Sequence, residues 1–264
     1  MPVRFLAATA GLLVLAGSAV AGRPTAHTLR KSPGGPIAAI AENNSVAAWF
    51  TASTKGCNLV HILSPGKHDR SLPQPSSLTC HWSLKDGQPQ LAVAARMSTA
   101  LWTLHESGPS PADRVMTASI GGPERQLTRL AHASDGTGDW LEGVAGAGRT
   151  LAYSWDDVVY VDPDACLSHG MCKQKISDGG IRLVTRTDVN ELPGAEPALQ
   201  LAASDRLIVY RVGRLLRDIS TRAGHNGQLA KTGLNYVGLA LARGRLIWAQ
   251  NHGNTGRLRV LAVG

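Results

Sequence analysis

The chain has 264 residues, of which 43% are hydrophobic and 17% charged, with 27 Lys and Arg against 19 Asp and Glu and a formal net charge of +8. This length is enough to bury a substantial core in one large domain or two small ones. The positive charge favours acidic partners in principle, but the basic residues are scattered along the chain, so we expect no nucleic-acid partner.

The first predicted element is an N-terminal export signal. Arg4 provides a positively charged start, residues 5–20 are almost uncharged and apolar, and Ala-Val-Ala precedes a cleavage site after Ala21. We predict a signal peptide over residues 1–21, a single domain over residues 22–264 and a secreted or otherwise extracytoplasmic protein. An uncleaved anchor is the alternative, but the apolar run is shorter than the roughly 20 residues that a membrane-spanning helix needs.

Five stretches of the chain repeat one cassette, in which two apolar residues precede Trp or Tyr and a turn-type residue lies four or five positions before the aromatic. Self-similarity at a period of roughly 40 to 55 residues is typical of propellers and solenoids. An apolar segment precedes each turn, so each unit predicts strand, tight turn, strand. The aromatics are Trp49, Trp102, Tyr153, Tyr210 and Trp248, after the turn residues Asn44, Ser98, Gly148, Asp205 and Gly244.

Each unit also contains a third candidate strand, and the first four units contain a short polar fourth strand. The third strands are predicted over residues 58–63, 113–120, 158–162, 215–220 and 257–263, and the fourth are centred on Leu72, Leu127, Leu183 and Leu229. The fifth unit lacks a fourth strand, and a segment of the same type, His27-Thr28-Leu29, precedes the first unit. We therefore predict an all-β fold, a β-propeller of about five four-stranded blades closed by an N-terminal strand. A β-sandwich and a six-bladed propeller are the alternatives, because the aromatics are unevenly spaced.

The cassettes at residues 46–49, 150–153 and 206–210 resemble those of secreted bacterial β-propeller repeat proteins of the WD-like or TolB-like kind. The resemblance is one of fold, because the Trp-Asp pair of WD repeats occurs once, at Trp155 and Asp156, and the Ser-Pro-Asp-Gly turn of TolB-type repeats does not occur. It implies a propeller that binds other molecules, and it carries over no catalytic residue.

Four cysteines in an exported chain predict disulfides. Cys166 and Cys172 lie close together in a polar stretch that suits a pinned surface loop, so Cys57 pairs with Cys80. A zinc site is the alternative, because a histidine lies near each of Cys57 and Cys80, but the spacing is looser than in typical zinc sites.

Candidate partner contacts are found among tryptophans outside the cassette register and among alternating arginines. An exposed Trp can anchor a sugar or a protein, whereas alternating basic residues form either a solvated strand face or an anion-binding patch. These candidates are Trp82, Trp140, Trp155, Arg214 and Arg217.

Carboxylates are few, and their densest group is Asp156, Asp157, Asp162 and Asp164. We expect the first two at a hairpin tip and separated from the others by most of a strand, so the four do not share one site. Asp162 and Asp164 are weak candidates for Ca²⁺, with no other metal and no cofactor expected.

The most consistent function is that of an exported, non-catalytic, monomeric β-propeller that binds a protein or a cell-envelope polymer through loops on one face. The alternative is a lyase or hydrolase acting on an anionic or glycan substrate at the axial channel, although no motif identifies a catalytic residue. That alternative requires two carboxylates or histidines close together at the channel mouth. The repeats differ most at residues 64–89, 132–140 and 162–180, where we expect the binding loops.

Overall fold

The computed structural model describes residues 36–263, apart from positions 44–45, 53–56, 64–69, 72–76, 82–86, 88, 120–121, 165, 167–171, 186–187, 199, 223–225, 234, 243 and 253–254. The described residues form an all-β, five-bladed propeller, as the repeats predict, rather than a sandwich or a six-bladed ring. The predicted signal peptide and the closing strand at residues 27–29 lie outside the described residues.

Each blade is an antiparallel sheet in which strands adjacent in sequence are hydrogen-bonded neighbours, four strands in blades 1 to 4 and three in blade 5. A short helix, α1 (Ser77–His81), and a 3₁₀ turn (Ala95–Met97) lie between strands. In chain order the strands are β1 (Ile37–Asn43), β2 (Val46–Thr51), β3 (Leu59–Leu63), β4 (Arg70–Ser71), β5 (Leu91–Ala94), β6 (Thr99–Glu106), β7 (Ala112–Ser119), β8 (Arg125–Ala131), β9 (Gly138–Ala147), β10 (Thr150–Tyr160), β11 (Gln174–Val184), β12 (Val189–Glu191), β13 (Leu201–Ala203), β14 (Leu207–Val212), β15 (Leu215–Ser220), β16 (Asn226–Lys231), β17 (Tyr236–Ala242), β18 (Arg245–His252) and β19 (Thr255–Ala262).

The repeated cassette forms the second strand of every blade, and its aromatic side chain belongs to the core. Trp102 packs with Phe50 of the preceding blade, and Tyr153 packs with Leu101 in the same manner. Trp102, Tyr153, Tyr210 and Trp248 therefore hold neighbouring blades together, which is the packing that the repeat predicts. Trp49, Trp102, Tyr153, Tyr210 and Trp248 are 7%, 0%, 0%, 0% and 6% exposed.

At three of the described turns, the turn-type residue precedes the cassette because the backbone there enters the left-handed region. Ser98, Gly148 and Gly244 have φ values of 51°, 50° and 69°. Such angles cost a residue with a Cβ free energy that glycine avoids, and short polar side chains tolerate them better than branched ones. Local backbone geometry thus explains these three turn residues, whereas Asp205 accepts a hydrogen bond from the backbone N–H of Arg149.

Blade 3 departs from the prediction. Residues 158–160 continue β10, so the third strand is β11 and the fourth is β12, and the Leu183 segment belongs to the third strand. Asp156 and Asp157 are not at a hairpin tip: they pair with β9 on one side and β11 on the other. The polar start of β11 lacks the apolar alternation that marks a strand, which is why the sequence pattern misplaced it.

The chain direction defines two ends of the ring. Because successive strands are antiparallel, the turns between the first and second strands of all blades lie at one end, here named the tip face. The strand ends that border residues 52–58, 72–90, 107–111, 132–137 and 161–173 lie at the other end, here named the loop face. None of the helices in the described parts of the chain is long and apolar enough to cross a membrane.

Candidate functional site

The tip face is held together by hydrogen bonds that link four blades. The backbone N–H of Gly148 donates to Asn43 Oδ1 at 2.9 Å, and that of Arg149 donates to Asp205 Oδ1 at 2.9 Å. The N–H of Arg96 donates to the Gly148 carbonyl at 2.8 Å, and its guanidinium lies 3.4 Å from the Asp205 carboxylate. Each of these polar groups is satisfied within the fold, so this face stabilises the ring.

The first strands of the blades line the axial channel, whose middle is a cavity of about 280 Å³. Apart from Glu42 and Asn43 towards the tip face, the lining of this cavity consists of small or apolar residues: Ile40, Ala41, Leu91, Ala92, Val144, Ala145, Gly146, Leu201, Ala202, Ala203 and Leu241. General acid–base catalysis requires two groups within hydrogen-bonding reach of one substrate. At the tip-face mouth of the channel a larger cavity, of about 650 Å³, is lined by Glu42 together with a second carboxylate, Asp205, and by Arg206.

Both predicted disulfides are present, and both lie at the loop face. Cys57 is bonded to Cys80, and Cys166 to Cys172. With all four sulfurs in disulfides, none is available as the thiolate that zinc binding requires. His61, the histidine near Cys57, is buried and instead stacks on the cassette ring of β2 with 5.0 Å between ring centroids.

The candidate partner contacts differ in their exposure and in their contacts within the fold. Trp155 is 8% exposed and packs in the core, so it is not the exposed anchor that its position suggested. Arg217 forms an ion pair with Glu196 at 2.7 Å, whereas Arg214 is exposed in the turn after β14, at the loop face. Trp140 is partly exposed at the start of β9, and Trp82 lies outside the described residues.

Trp140 forms one end of a stack of three rings at the loop face. Its ring lies 3.7 Å from that of His132, which lies 5.5 Å from that of His105. His105 Nδ1 lies 2.7 Å from Asp113 Oδ1, and the other Asp113 oxygen accepts the backbone N–H of Leu141 at 3.1 Å. Both carboxylate oxygens of Asp113 therefore have partners, and the bond to Leu141 joins blade 2 to blade 3.

Next to this stack lies a group of five carboxylates that the prediction did not bring together. We name Asp139, Glu142, Asp156, Asp157 and Asp178 the acidic cluster. Asp139 of β9, Asp157 of β10 and Asp178 of β11 are direct cross-strand partners, so their side chains form one row on the sheet. Directly opposite residues have Cβ atoms about 4.5–5.5 Å apart, a distance at which like charges repel.

Glu142 and Asp156 lie beside this row within blade 3, and the side chain of Asp156 projects to the opposite face of the sheet from that of Asp157. Ser154 pairs with Gly143 and Trp155 with Leu141, which leaves Glu142 as the extra residue of a β-bulge. Bulges re-aim side chains and are common next to functional sites. Asp156 is 5% exposed, and its Oδ1 has no hydrogen-bond partner.

The negative charge of the acidic cluster is not neutralised by the described residues. None of its five carboxylates forms an ion pair with a described Lys, Arg or His. The cation that acts on Asp139, Arg182, lies over the Trp155 ring at 4.1 Å and 3.6 Å from Glu191. Lys173 and Lys175 of the same hairpin are exposed and make no described contact with the acidic cluster.

Burial and the charges of nearby carboxylates raise the pKa values of Glu142, Asp156 and Asp139. The pKa of Glu142 is raised to about 7, first by burial and then by the charges of Asp156 and Asp113. Burial is likewise the main reason that the pKa of Asp156 is raised, followed by the charges of Asp157 and Asp139. Perturbed pKa values of this kind are typical of functional sites.

The pKa of Asp139 is raised by burial and by Asp157 and Asp178, whereas Arg182 lowers it. In the described residues, no group of three or more Asp, Glu, His or Cys is placed to hold a metal ion. This holds for the acidic cluster and for the Ca²⁺ candidates Asp162 and Asp164. The latter two are exposed at the start of the disulfide loop.

Sequence reasoning found Asp156 and Asp157 but missed Asp139, Glu142 and Asp178. Asp139 and Asp178 lie in residues 132–140 and 162–180, where the repeats differ most, and this difference is the sequence feature that points to them. The row depends on the register of β9, β10 and β11, and register cannot be predicted from a local sequence pattern.

No known protein family matches the chain, and no curated protein matches it. Among solved structures it is similar to a chain of a nidogen/laminin complex, with 12% identity, a TM-score of 0.37 and coverage of 83% of this chain and 73% of that one. It is also similar to a chain from a study of two prolyl endopeptidases, with 11% identity, a TM-score of 0.46 and coverage of 84% and 33%. The tricorn protease gives 8% identity, a TM-score of 0.47 and coverage of 86% and 25%.

The chain thus spans about a third of the matched prolyl endopeptidase chain and a quarter of the tricorn protease chain. At these identities and TM-scores the similarities carry no argument about activity or partners, and the functional inference comes from the site itself.

Proposed function

We propose that the protein is exported and acts as a non-catalytic, monomeric binding protein whose loop face takes a protein or a cell-envelope polymer. The observation that carries this proposal is the hairpin β10–β11. Its strands have 11 residues each, against 8 residues each for the corresponding strands of blade 2. Near its end Val161 and Ile176 are 53% and 54% exposed, beside the carboxylates of the acidic cluster.

Exposed apolar side chains next to uncompensated charge are features that a fold does not need for its own stability. The loop face is where exposed apolar side chains and carboxylates without a described ion pair occur on one hairpin. Its loops also differ most between repeats, and binding residues concentrate in loops held by a rigid scaffold.

The binding role is tested with the labelled protein on arrays of peptides and of cell-envelope glycans. We expect at least one class of probe to bind, and the double variant Val161→Ser/Ile176→Ser to bind at least tenfold more weakly. Arg149→Ser at the tip face is the control, because Arg149 is exposed and its described hydrogen bond uses the backbone N–H. Absence of binding on both arrays, or loss only in the Arg149 variant, contradicts the proposal.

Export is tested separately, by expressing the chain with its own N-terminus and sequencing the N-terminus of the product. We expect extracytoplasmic protein that begins at Gly22. A product that begins at Met1 and stays in the cytoplasm contradicts export and leaves the binding role to the array experiment.

A further inference from the structure

We propose that β19, the outermost described strand of blade 5, is a docking edge for an extended segment of a protein partner in which acidic and apolar residues alternate. This strand belongs to a different blade from the hairpin β10–β11, so the inference goes beyond the binding role of the loop face. It rests on three features of the described residues: an uncovered strand edge, an exposed apolar sheet face and two arginines without an ion pair.

The outer edge of β19 has no neighbouring strand among the described residues. In blades 1 to 4 a fourth strand covers the third, whereas the described part of blade 5 stops at its third strand, β19. All eight residues of β19 pair with β18 in one continuous register, without a bulge or a proline. An edge strand presents a row of unpaired backbone N–H and C=O groups, which proteins protect with proline, bulges or very short strands. None of these three features is present in β19.

One face of the blade 5 sheet exposes apolar side chains. Leu258 and Val260 of β19 are 79% and 64% exposed, and Val260 lies opposite Ile247 of β18, which is 37% exposed. The other face carries Leu246 and Trp248, which are buried in the core that blade 5 shares with blade 4. The exposed face is therefore the one turned away from blade 4. Exposed apolar side chains that lie together are typical of interaction surfaces.

Arg257 and Arg259 give this edge a positive charge. Both are exposed, and neither forms an ion pair with a described residue. Their cross-strand partners in β18 are Gln250 and Trp248, so no carboxylate of β18 lies opposite them. Residues directly opposite each other on antiparallel strands interact, and opposite charges there are favourable. A partner strand with acidic residues at these two positions would therefore pair with both arginines.

The same arginines oppose pairing between two copies of this chain. A two-fold-symmetric antiparallel contact between two β19 edges, centred on residue 257, 258 or 259, places one Arg directly opposite another. Like charges in that position repel, and charged side chains on edge strands protect proteins from edge-to-edge association. The charge that disfavours a second copy favours an acidic partner.

The N-terminal segment of this chain is a poor match for the same reason. Residues 27–29 are the predicted closing strand, and residues 22–35 around them contain Arg23, Arg30 and Lys31 but no Asp or Glu. Such a segment brings positive charge to an edge that is already positive. A segment of opposite charge, from a partner, is therefore the occupant that this edge fits.

An added strand of alternating sequence uses all three features together. Its backbone pairs with the open edge, which provides affinity, while its alternate side chains provide specificity. Side chains of one type recur about every 6.6–7 Å on one face of an extended strand. Acidic residues two positions apart can thus meet both arginines, while the apolar residues next to them extend the exposed face of Leu258 and Val260.

The experiment is a fluorescence-anisotropy titration of a labelled octapeptide of alternating Glu and Val with the full chain. It is carried out at about 0.15 M salt, which largely screens distant charges. We expect saturable binding that falls at least tenfold in Arg257→Glu/Arg259→Glu. An octapeptide of alternating Lys and Val should bind this variant and not the unchanged protein, because the pairing of charges is reversed.

The matched control is Arg149→Glu/Arg222→Glu, which changes the net charge equally at two exposed arginines of other blades. The control is needed because the chain carries a net charge of +8 and attracts any acidic peptide weakly. It should change the affinity less than threefold. An equal loss in the control, or no binding of the Lys-Val peptide to the reversed variant, overturns the inference.

Two further arms test the apolar face and the strand geometry. Leu258→Ser/Val260→Ser should weaken binding of the Glu-Val peptide at least fivefold. A peptide of four Glu followed by four Val should bind at least tenfold more weakly, since it cannot present one residue type on each face. Equal binding of this block peptide overturns the inference. Circular dichroism checks folding; if Arg257→Glu/Arg259→Glu does not fold, a fivefold loss in Arg257→Gln/Arg259→Gln takes its place.

The competing occupant is tested with Thr28→Pro, within the predicted closing strand. We expect this variant to bind the Glu-Val peptide as the unchanged protein does. Binding that appears only in Thr28→Pro shows that the chain's own segment occupies the edge, and absence of binding in both proteins shows that the edge takes no such strand. Either result overturns the inference.

This inference and the role of the loop face fail separately. Val161→Ser/Ile176→Ser should leave binding of the Glu-Val peptide unchanged. If the peptide is instead lost in that variant and retained in Arg257→Glu/Arg259→Glu, it binds at the loop face and only the docking edge is contradicted. If no array probe depends on the hairpin while the Glu-Val peptide depends on the two arginines, only the role of the loop face is contradicted.

Discussion

The tip face and the loop face differ in whether their charged groups have partners within the fold. At the tip face, Asp205 accepts the N–H of Arg149 and lies beside the guanidinium of Arg96. At the loop face, Glu142 and Asp156 are partly or fully buried without a described counter-ion, and their pKa values are raised. The first arrangement stabilises the ring, whereas the second lowers its stability. Groups kept at a cost to stability are expected at functional sites.

The largest expected effect concerns how the loop face is held together. Replacing Cys57 and Cys80, which are 23 residues apart, should lower the free energy of unfolding by about 3 kcal/mol, because the bond closes a long loop in the unfolded chain. Replacing Cys166 and Cys172, 6 residues apart, should cost about 2 kcal/mol. Urea unfolding of the two double Ser variants measures the difference. A larger loss from the Cys166/Cys172 pair would contradict this order.

The tip face should be sensitive to a single methyl group. A Cβ on Gly148 would lie 1.5 Å from Asp205 Oδ1, so Gly148→Ala must displace that carboxylate from the Arg149 N–H. Gly213→Ala is a matched control, because its φ of +55° is close to the +50° of Gly148 and nothing lies within 4 Å of its Cβ position. We expect Gly148→Ala to cost about 2 kcal/mol more than the control, as a lost charge-assisted hydrogen bond would. Equal losses in thermal unfolding would show that the hydrogen bond contributes nothing.

The Asp205 side chain itself should account for part of that effect. Asp205→Ala should destabilise the protein by about 1–2 kcal/mol, mainly through the lost bond to the backbone N–H of Arg149, since the ion pair with Arg96 is exposed. Asp218→Ala, at a strand carboxylate without a described ion pair, is the control and should cost less. The comparison requires unfolding curves at one pH and one salt concentration. A cost at Asp205 no greater than at Asp218 would remove the structural role assigned to the tip face.

At the loop face, removing a charge should stabilise the protein. The folded protein holds the proton of Glu142 up to a pKa of about 7, against an ordinary value of 4.5, so wild-type stability decreases as the pH rises between these values. Glu142→Gln removes this loss. We expect the variant to be about 1 kcal/mol more stable at pH 8, after allowing for partial exposure, and unchanged at pH 4. Thermal unfolding at both pH values measures it, and a gain that is larger at pH 4 contradicts the explanation.

Much of the fold could be predicted from the sequence because the repeat is local. The cassette places a turn residue, an apolar strand and an aromatic within six residues, and the same backbone requirement recurs at Ser98, Gly148 and Gly244. Blade 3 was partly misread because β11 begins with polar residues from Gln174 to Asp178. Because β11 is hydrogen-bonded along its length to β10, it forms a strand without apolar alternation, and its polar first half therefore carries no strand pattern in the sequence.

The candidate site could be predicted only in part. Asp156 and Asp157 were noted as acidic neighbours, but their placement in the middle of a sheet follows from β9 and β11 on either side. Trp155 was expected to be a contact, yet its position in the blade interface buries it. Separation along the chain does not predict which carboxylates are neighbours, because the strand register is what places Asp139 and Asp178 beside Asp157.

The sequence by itself determined the all-β class, the repeat of five units, the buried aromatics and the cysteines that form disulfides, because each depends on local spacing or on composition. The tertiary structure decided which carboxylates meet, since strand register and a bulge at Glu142 bring three strands together at one end of blade 3. It also decided which charges stay unpaired, because burial and the commitment of Arg182 to Trp155 and Glu191 are properties of packing.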